Sequence, residues 1–172
     1  MHINLDKSQF SVFGEEGLPE HYPVPKEIDG LLFYIQRNLN NNTVVYALNK
    51  NHDNLINEDY PMDVFWLKYT SKGEIQALNY IQSKLVFGYR ANKIDNKTFE
   101  FHMVSYDKLR FFIVEDEKGH HKTITKINGK DAYLSNIYVY ADEFGLFPDV
   151  KYIELFGNEV DGSFPCYQKI MI

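Results

Sequence analysis

Three arginines stand against fifteen lysines in this chain, and Arg37, Arg90 and Arg110 each fall within or at the end of a predicted strand, whereas the lysines mostly occupy turns and tips. A guanidinium is preferred where a cation is partly buried and bonded by two prongs at once. The placement therefore predicts internal pairing, with Glu100 and Glu154 as candidate carboxylates, or a grip on an anionic ligand group. Internal pairing is favoured, because buried charge in a folded domain is usually neutralised within it. Gln36 beside Arg37, together with His102 and Tyr106, completes the candidate ligand-binding set of Gln36, Arg37, Arg90, His102, Tyr106 and Arg110.

Other chemistry finds less support. The chain has no GxSxG elbow, no HExxH, no phosphate-binding glycine loop and no dinucleotide fingerprint, so the common enzyme classes lose their warrant and no cofactor is expected. In "EDEKGHH", Glu115, Asp116, His120 and His121 are the nearest approach to a metal set. Adjacent histidines on a strand point to opposite faces, so the segment reads as a solvated turn and no metal is expected. Lys122, Lys126 and Lys130 resemble a basic edge, but an Asn-Gly turn between them sets Lys126 opposite Asp131, an ion pair on a wet face. The net charge of -6 and pI near 5.5 oppose binding to nucleic acid or anionic lipid. The single cysteine, Cys166, excludes an intramolecular disulfide and reads as a small, unreactive buried hydrophobe.

The elements that must position these residues follow from pattern. With 44% apolar residues, 13 Phe and 13 Tyr among 172 positions, the composition suits one folded, sheet-rich domain. Pro19, Pro23 and Pro25 with Gly14 and Gly17 mark residues 1–29 as an arm, leaving 30–172 as a single domain. Short aromatic and β-branched runs separated by turn chemistry then predict about nine strands. In "LLFYIQRNLNNNTVVYALN" the Asn-rich centre is a hairpin turn, with Arg37 facing Thr43, Tyr34 facing Tyr46, Ile35 facing Val45 and Phe33 facing Ala47. "SKGE" from Ser71 fits a capping box, and Ile75, Leu78, Ile81, Gln82 and Leu85 follow at helical spacing before Gly88. Asp107 and Lys108 are read as the turn between "TFEFHMVSY" and "LRFFIVE", which puts apolar residues on both faces of that hairpin. The expected fold is all-β: an antiparallel meander closing into a barrel-like or strongly curled two-sheet domain with one α-helix.

The stretch "PVPKEIDGLLFYIQRNLNNNTVVYALN", with "VFWLKY", Tyr80, Gln82, Gly88 and "VKYIELFG", resembles the bacterial domain-of-unknown-function 4833 family from about Pro23 to Gly157. The resemblance implies no activity. It implies an extracytoplasmic site, since such proteins often begin with an export signal. The chain itself starts without one and has no apolar run of about 20 residues to span a membrane, so its own pattern predicts a cytoplasmic location, a mature exported form remaining open.

The leading expectation is a non-catalytic binding module for a small apolar or amphipathic molecule, with the candidate residues gripping an anionic group. The alternative is a structural or protein-interaction domain with a filled core. An enzyme of unrecognised type using His102, Tyr106 and Glu100 stands third.

Overall fold

The computed structural model describes residues 22–142 and 149–172. The first 21 positions of the expected arm lie outside the described residues, and residues 22–30 form neither helix nor strand. Eleven strands follow: β1 Leu31–Arg37, β2 Thr43–Leu48, β3 Met62–Lys68, β4 Glu74–Ala77, β5 Tyr89–Asp95, β6 Thr98–Met103, β7 Tyr106–Glu115, β8 His121–Ile127, β9 Lys130–Asp142, β10 Asp149–Glu159 and β11 Pro165–Met171. All belong to one curled, half-barrel sheet. No helix of the described residues is long and apolar enough to cross a membrane.

The sheet forks at β9. Its 13 residues carry β10 along one edge from Ala132 to Asp142. The other edge is shared: β8 pairs with Lys130–Tyr133, and β1 runs parallel to Asn136–Val139. One wing is therefore β1-β2-β3-β4 and the other β8-β7-β6-β5, while β10 and β11 extend the sheet beyond β9. The β1–β9 pair is the one parallel contact in an otherwise antiparallel meander.

The wings close on a stacked aromatic column. Phe33 of β1 lies 4.3 Å from Tyr46 of β2, 6.0 Å from Phe101 of β6 and 6.2 Å from Phe111 of β7, ring centre to ring centre and nearly parallel. All four are buried, and the Tyr46 hydroxyl donates to the Phe87 carbonyl at 2.7 Å, which satisfies its polar end inside the core. Full burial of such a side chain contributes about 1.5–3 kcal/mol each, so this column is a principal tie between the wings.

Local turn chemistry succeeds at Asn128–Gly129. Both residues take the left-handed backbone that a tight type I′ turn demands, with φ of 51° and 77°. The register that follows sets Lys126 against Asp131, whose Nζ and Oδ1 are 2.9 Å apart.

Three expectations are corrected. The first hairpin pairs Phe33 with Tyr46, Tyr34 with Val45 and Ile35 with Val44, one residue away from the predicted register, because Phe33 and Tyr46 stack ring on ring in the core; the irregularity between Leu31 and Phe33 then moves Leu31 a further residue, onto Ala47. The β6–β7 turn lies at Val104 and Ser105, not at Asp107 and Lys108, since Met103 pairs with Tyr106. Phe99, Phe101, Phe111 and Ile113 consequently share the buried face, and Phe112 and Val114 turn outward. The α-helix expected from Ser71 is replaced by a 3-10 turn at Tyr69–Ser71, strand β4 and a π-helical turn at Gln82–Val86. Lys72 and Gly73, with φ of 60° and 79°, hold left-handed backbone where that helix would begin, and β4 pairs with β3 instead.

Gly157 in β10 marks a close approach between strands. A Cβ there would sit 2.4 Å from the Tyr133 carbonyl oxygen and 2.9 Å from Ile127 Cδ1, so the irregularity beside it in the β9–β10 ladder requires glycine. Cys166 lies opposite Gly157, buried, and burial pushes its thiol up to about 11.

Candidate functional site

Strict alternation in β6, β7 and β8 sends Phe99, Phe101, Phe111, Ile113, Thr123, Thr125 and Ile127 into the core and their neighbours outward. Three candidate residues are gathered by this rule on the outer face of the β5–β8 wing. Arg90 pairs with His102. Phe101 pairs with Phe111 and Phe111 with Thr125, so His102, Arg110 and Lys126 are the outward neighbours of these three buried residues, at the point where the β6–β7 register shifts. With Arg90, the partner of His102, and Asp131, the partner of Lys126, they form a polar band across the outer face of the wing. The adjacent row runs from Glu100 through Phe112 and Ile124 to Tyr133.

Between these rows lies a trough of about 330 Å³ lined by Lys108, Leu109, Arg110, Phe112, Ile124, Thr125, Lys126 and Asp131. Its floor is apolar and its rim carries three cations. Arg110 Nη1 is 3.3 Å from Glu100 Oε1, and Lys126 is held by Asp131. The Lys126–Asp131 pair is exposed at both ends, and Arg110 retains 77% of its side-chain accessibility over a half-buried Glu100; pairs open to water in this way hold by only about 0–1 kcal/mol. An incoming carboxylate or phosphate can displace them at small cost. A second depression of about 320 Å³ is lined by Lys130, Asp131, Glu159 and Asp161, and its excess of carboxylates repels anions.

The other candidates lie elsewhere. Tyr106 opens β7 opposite Met103 and packs against the core, with the Lys108 ammonium 6.0 Å above its ring. Arg37 ends β1 with its guanidinium carbon 4.7 Å from the centre of the Trp66 ring and Nη2 donating to Asn40 Oδ1 at 3.3 Å. Lys68 approaches the same indole at 4.4 Å, so the aromatic quadrupole provides part of the stabilisation that the sequence assigned to a carboxylate. Arg37 belongs to the row of Val139 and Ile153, whereas Glu154 belongs to the row of Tyr138, so strand parity puts the two on opposite faces of the sheet.

Gln36 is fully buried in a polar row that the sequence analysis missed. Gln36, Tyr138, Glu154 and Lys169 are successive partners across β1, β9, β10 and β11. Asn136 Nδ2 donates to Gln36 Oε1 at 3.2 Å, Gln36 Nε2 to the Pro23 carbonyl at 3.4 Å, and the Tyr167 hydroxyl to Glu154 Oε2. Tyr22 rests edge-on against Tyr138, with ring centres 6.2 Å apart, and its hydroxyl donates to the Arg37 carbonyl. Burial, reinforced by Tyr22, Tyr152 and Glu154, raises the Tyr138 phenol well above its ordinary range. The signal available was "YIELF": a carboxylate enclosed by apolar neighbours on a strand whose two faces are both apolar.

In the "EDEKGHH" turn, Asp116 Oδ1 accepts the backbone N–H groups of Lys118 and His120, both at 2.9 Å. The His120 bond leads in holding this carboxyl below its usual range. His121 lies opposite Glu115 in the β7–β8 ladder. Among the described residues no group of three or more His, Cys, Asp or Glu gathers in a way that could hold a metal ion.

Comparison with curated proteins and with solved structures found no significant match. A family model described as a domain of unknown function (DUF4833) matches residues 33–169, a span holding most of the fork, the outer trough and the buried polar row. That match covers most of the 172 residues, and the chain belongs to the DUF4833 family.

Proposed function

We propose that this domain is a non-catalytic binding module that holds a small amphipathic anion in the outer trough of β7 and β8. The observation that carries the reading is the pairing of an apolar floor, Leu109, Phe112 and Ile124, with Lys108, Arg110 and Lys126 at the rim. An alkyl chain against the floor and an anionic head between the cations would satisfy both parts of the lining. The trough takes the place of the barrel interior, where Phe33, Tyr46, Phe101 and Phe111 fill the space between the wings.

The test is titration calorimetry with decanoate and dodecyl phosphate. Binding should weaken as salt rises, because the rim is exposed. Arg110→Gln should reduce affinity by about 1.5–3 kcal/mol, the worth of a hydrogen bond to a charged group. Lys151→Gln, at an exposed cation on β10, should leave affinity unchanged. Absence of binding by wild type, or equal binding by Arg110→Gln, overturns the reading. The filled core supports a second reading, a structural or interaction domain, and that reading stands if neither probe binds.

A further inference from the structure

Among the described residues the sheet has three free ends, at β4, β5 and β11. Two carry the charges or proline that keep an edge from pairing with another chain, whereas β4 is blunted only by its length of four residues. β5, "YRANKID", holds Arg90, Lys93 and Asp95; β11, "PCYQKIM", begins at Pro165 and contains Lys169. β4, "EIQA", has no proline, and its one charge, Glu74, lies opposite Lys68 within the sheet. All four of its residues are exposed, and among the described residues it pairs with β3 alone. Exposed large apolar residues are frequent in β4 and just after it along the chain: Ile75 at 63%, Tyr80 at 77%, Ile81 at 51% and Leu85 at 60% are four of the eleven such residues in the described chain.

We propose that β4 is a dimerisation edge, onto which a second copy of this chain adds its own β4 in antiparallel register. Ile75 and Ala77 share a face with their β3 partners Leu67 and Phe65. A two-fold axis perpendicular to the sheet preserves faces, so these residues can oppose only one another or themselves. The register centred on Gln76 sets Ile75 against the partner's Ala77 and Gln76 against the partner's Gln76. The row Thr43–Leu67–Ile75 then runs on into the row Ala77–Phe65–Val45 of the second copy.

That continuity selects a second copy over an unrelated strand. A foreign strand would have to bring an apolar row in matching register, whereas the symmetric copy brings it by construction. Glu74 falls opposite the partner's Leu78 and meets no second carboxylate. A four-residue ladder buries far less than the roughly 1,200 Å² of a stable interface, so the pair is expected to be weak and to draw on the exposed Tyr80, Ile81 and Leu85 that follow β4 in the chain. The charge of -6 on each copy opposes approach, so added salt should strengthen association.

Disulfide trapping tests both contact and register, since directly opposed residues of an antiparallel pair have the Cα spacing that a disulfide spans. The native Cys166 is buried and gives no background. Gln76→Cys should form a covalent dimer under mild oxidation, and Glu74→Cys should not. Sedimentation equilibrium of the untagged chain should show reversible doubling of the 20.2 kDa mass with rising concentration. Ile75→Lys, on an exposed position, should keep its circular dichroism spectrum and remain monomeric at every concentration. A wild-type chain that stays monomeric, cross-linking of Glu74→Cys as efficient as that of Gln76→Cys, or dimerisation undisturbed by Ile75→Lys overturns the proposal.

Discussion

On the outer face of β5 to β8, Arg90, His102, Arg110 and Lys126 form a polar band on four strands at the protein surface; across β1, β9, β10 and β11, Gln36, Tyr138, Glu154 and Lys169 are successive strand partners, and the first three are fully buried. Strand alternation composes both rows, but only the second is covered, in part by Tyr22 and Pro23. Covering changes the physics. An exposed ion pair such as Arg110–Glu100 competes with water at every moment and is free to exchange partners. A buried amide or carboxylate must keep its hydrogen bonds or lose a large part of the folding free energy. The open row is thus suited to exchange with a ligand, and the covered row to holding the fork together.

The largest separation between the two faces is expected in alkali. Burial raises the Tyr34 phenol to about 12 from 10.0, and raises those of Tyr46 and Tyr138 as well. A folded-state pKa above the unfolded value means that the stabilisation is complete below pH 10 and is lost as pH rises through 10 to 12, where only the unfolded chain can ionise freely. For Tyr34 the full shift is worth about 3 kcal/mol. Thermal melts should hold steady to near pH 9 and fall steeply between pH 10 and 12; a melting temperature that stays flat to pH 12 contradicts the burial of these phenols.

Two single-atom deletions divide the covered row itself. Tyr167→Phe removes the donor to the buried Glu154 carboxylate and should cost about 1.5–3 kcal/mol in urea unfolding. Tyr138→Phe removes a buried hydroxyl with no hydrogen-bond partner among the described residues and should be neutral or stabilising by up to about 1 kcal/mol. Equal effects of the two substitutions would show that hydroxyl burial alone, and not the bond to Glu154, sets stability on this face.

The smallest effect belongs to the open row. Arg110→Ala, Glu100→Ala and their double mutant should yield a coupling of about 0.5 kcal/mol or less, vanishing in 1 M salt. A coupling above about 2 kcal/mol would remove the distinction between the faces.

Legibility followed the range of the interactions involved. The Asn128–Gly129 hairpin and its Lys126–Asp131 pair were readable because the left-handed turn and the register it imposes are properties of a few adjacent residues. The β6–β7 turn was misread because Val104–Ser105 carries no strong turn signal, while Asp107–Lys108 does; burial of Phe111 and Ile113 against Phe99 and Phe101 decided the register. The spacing of Ile75, Leu78, Ile81 and Leu85 imitated a helix, but the unpaired edge of β3 and the left-handed Lys72 and Gly73 turned its first residues into β4. The grouping of Arg90, His102 and Arg110 was not legible either, because it depends on two cross-strand registers in succession.

The sequence by itself determined that this is a β protein, which residues alternate along each strand, and where the strongest hairpin turns, because period-two patterning and turn backbone preferences act within a few residues. It also contained the family resemblance that the model match bears out. The fork at β9, the aromatic column between the wings and the choice of which polar row to bury were decided only in the tertiary structure. Gln36 and Asn136 are 100 residues apart along the chain, and no local rule tells either that its partner will be the other. Patterning assigns a side chain to a face, but whether that face meets water depends on which distant segment is laid across it.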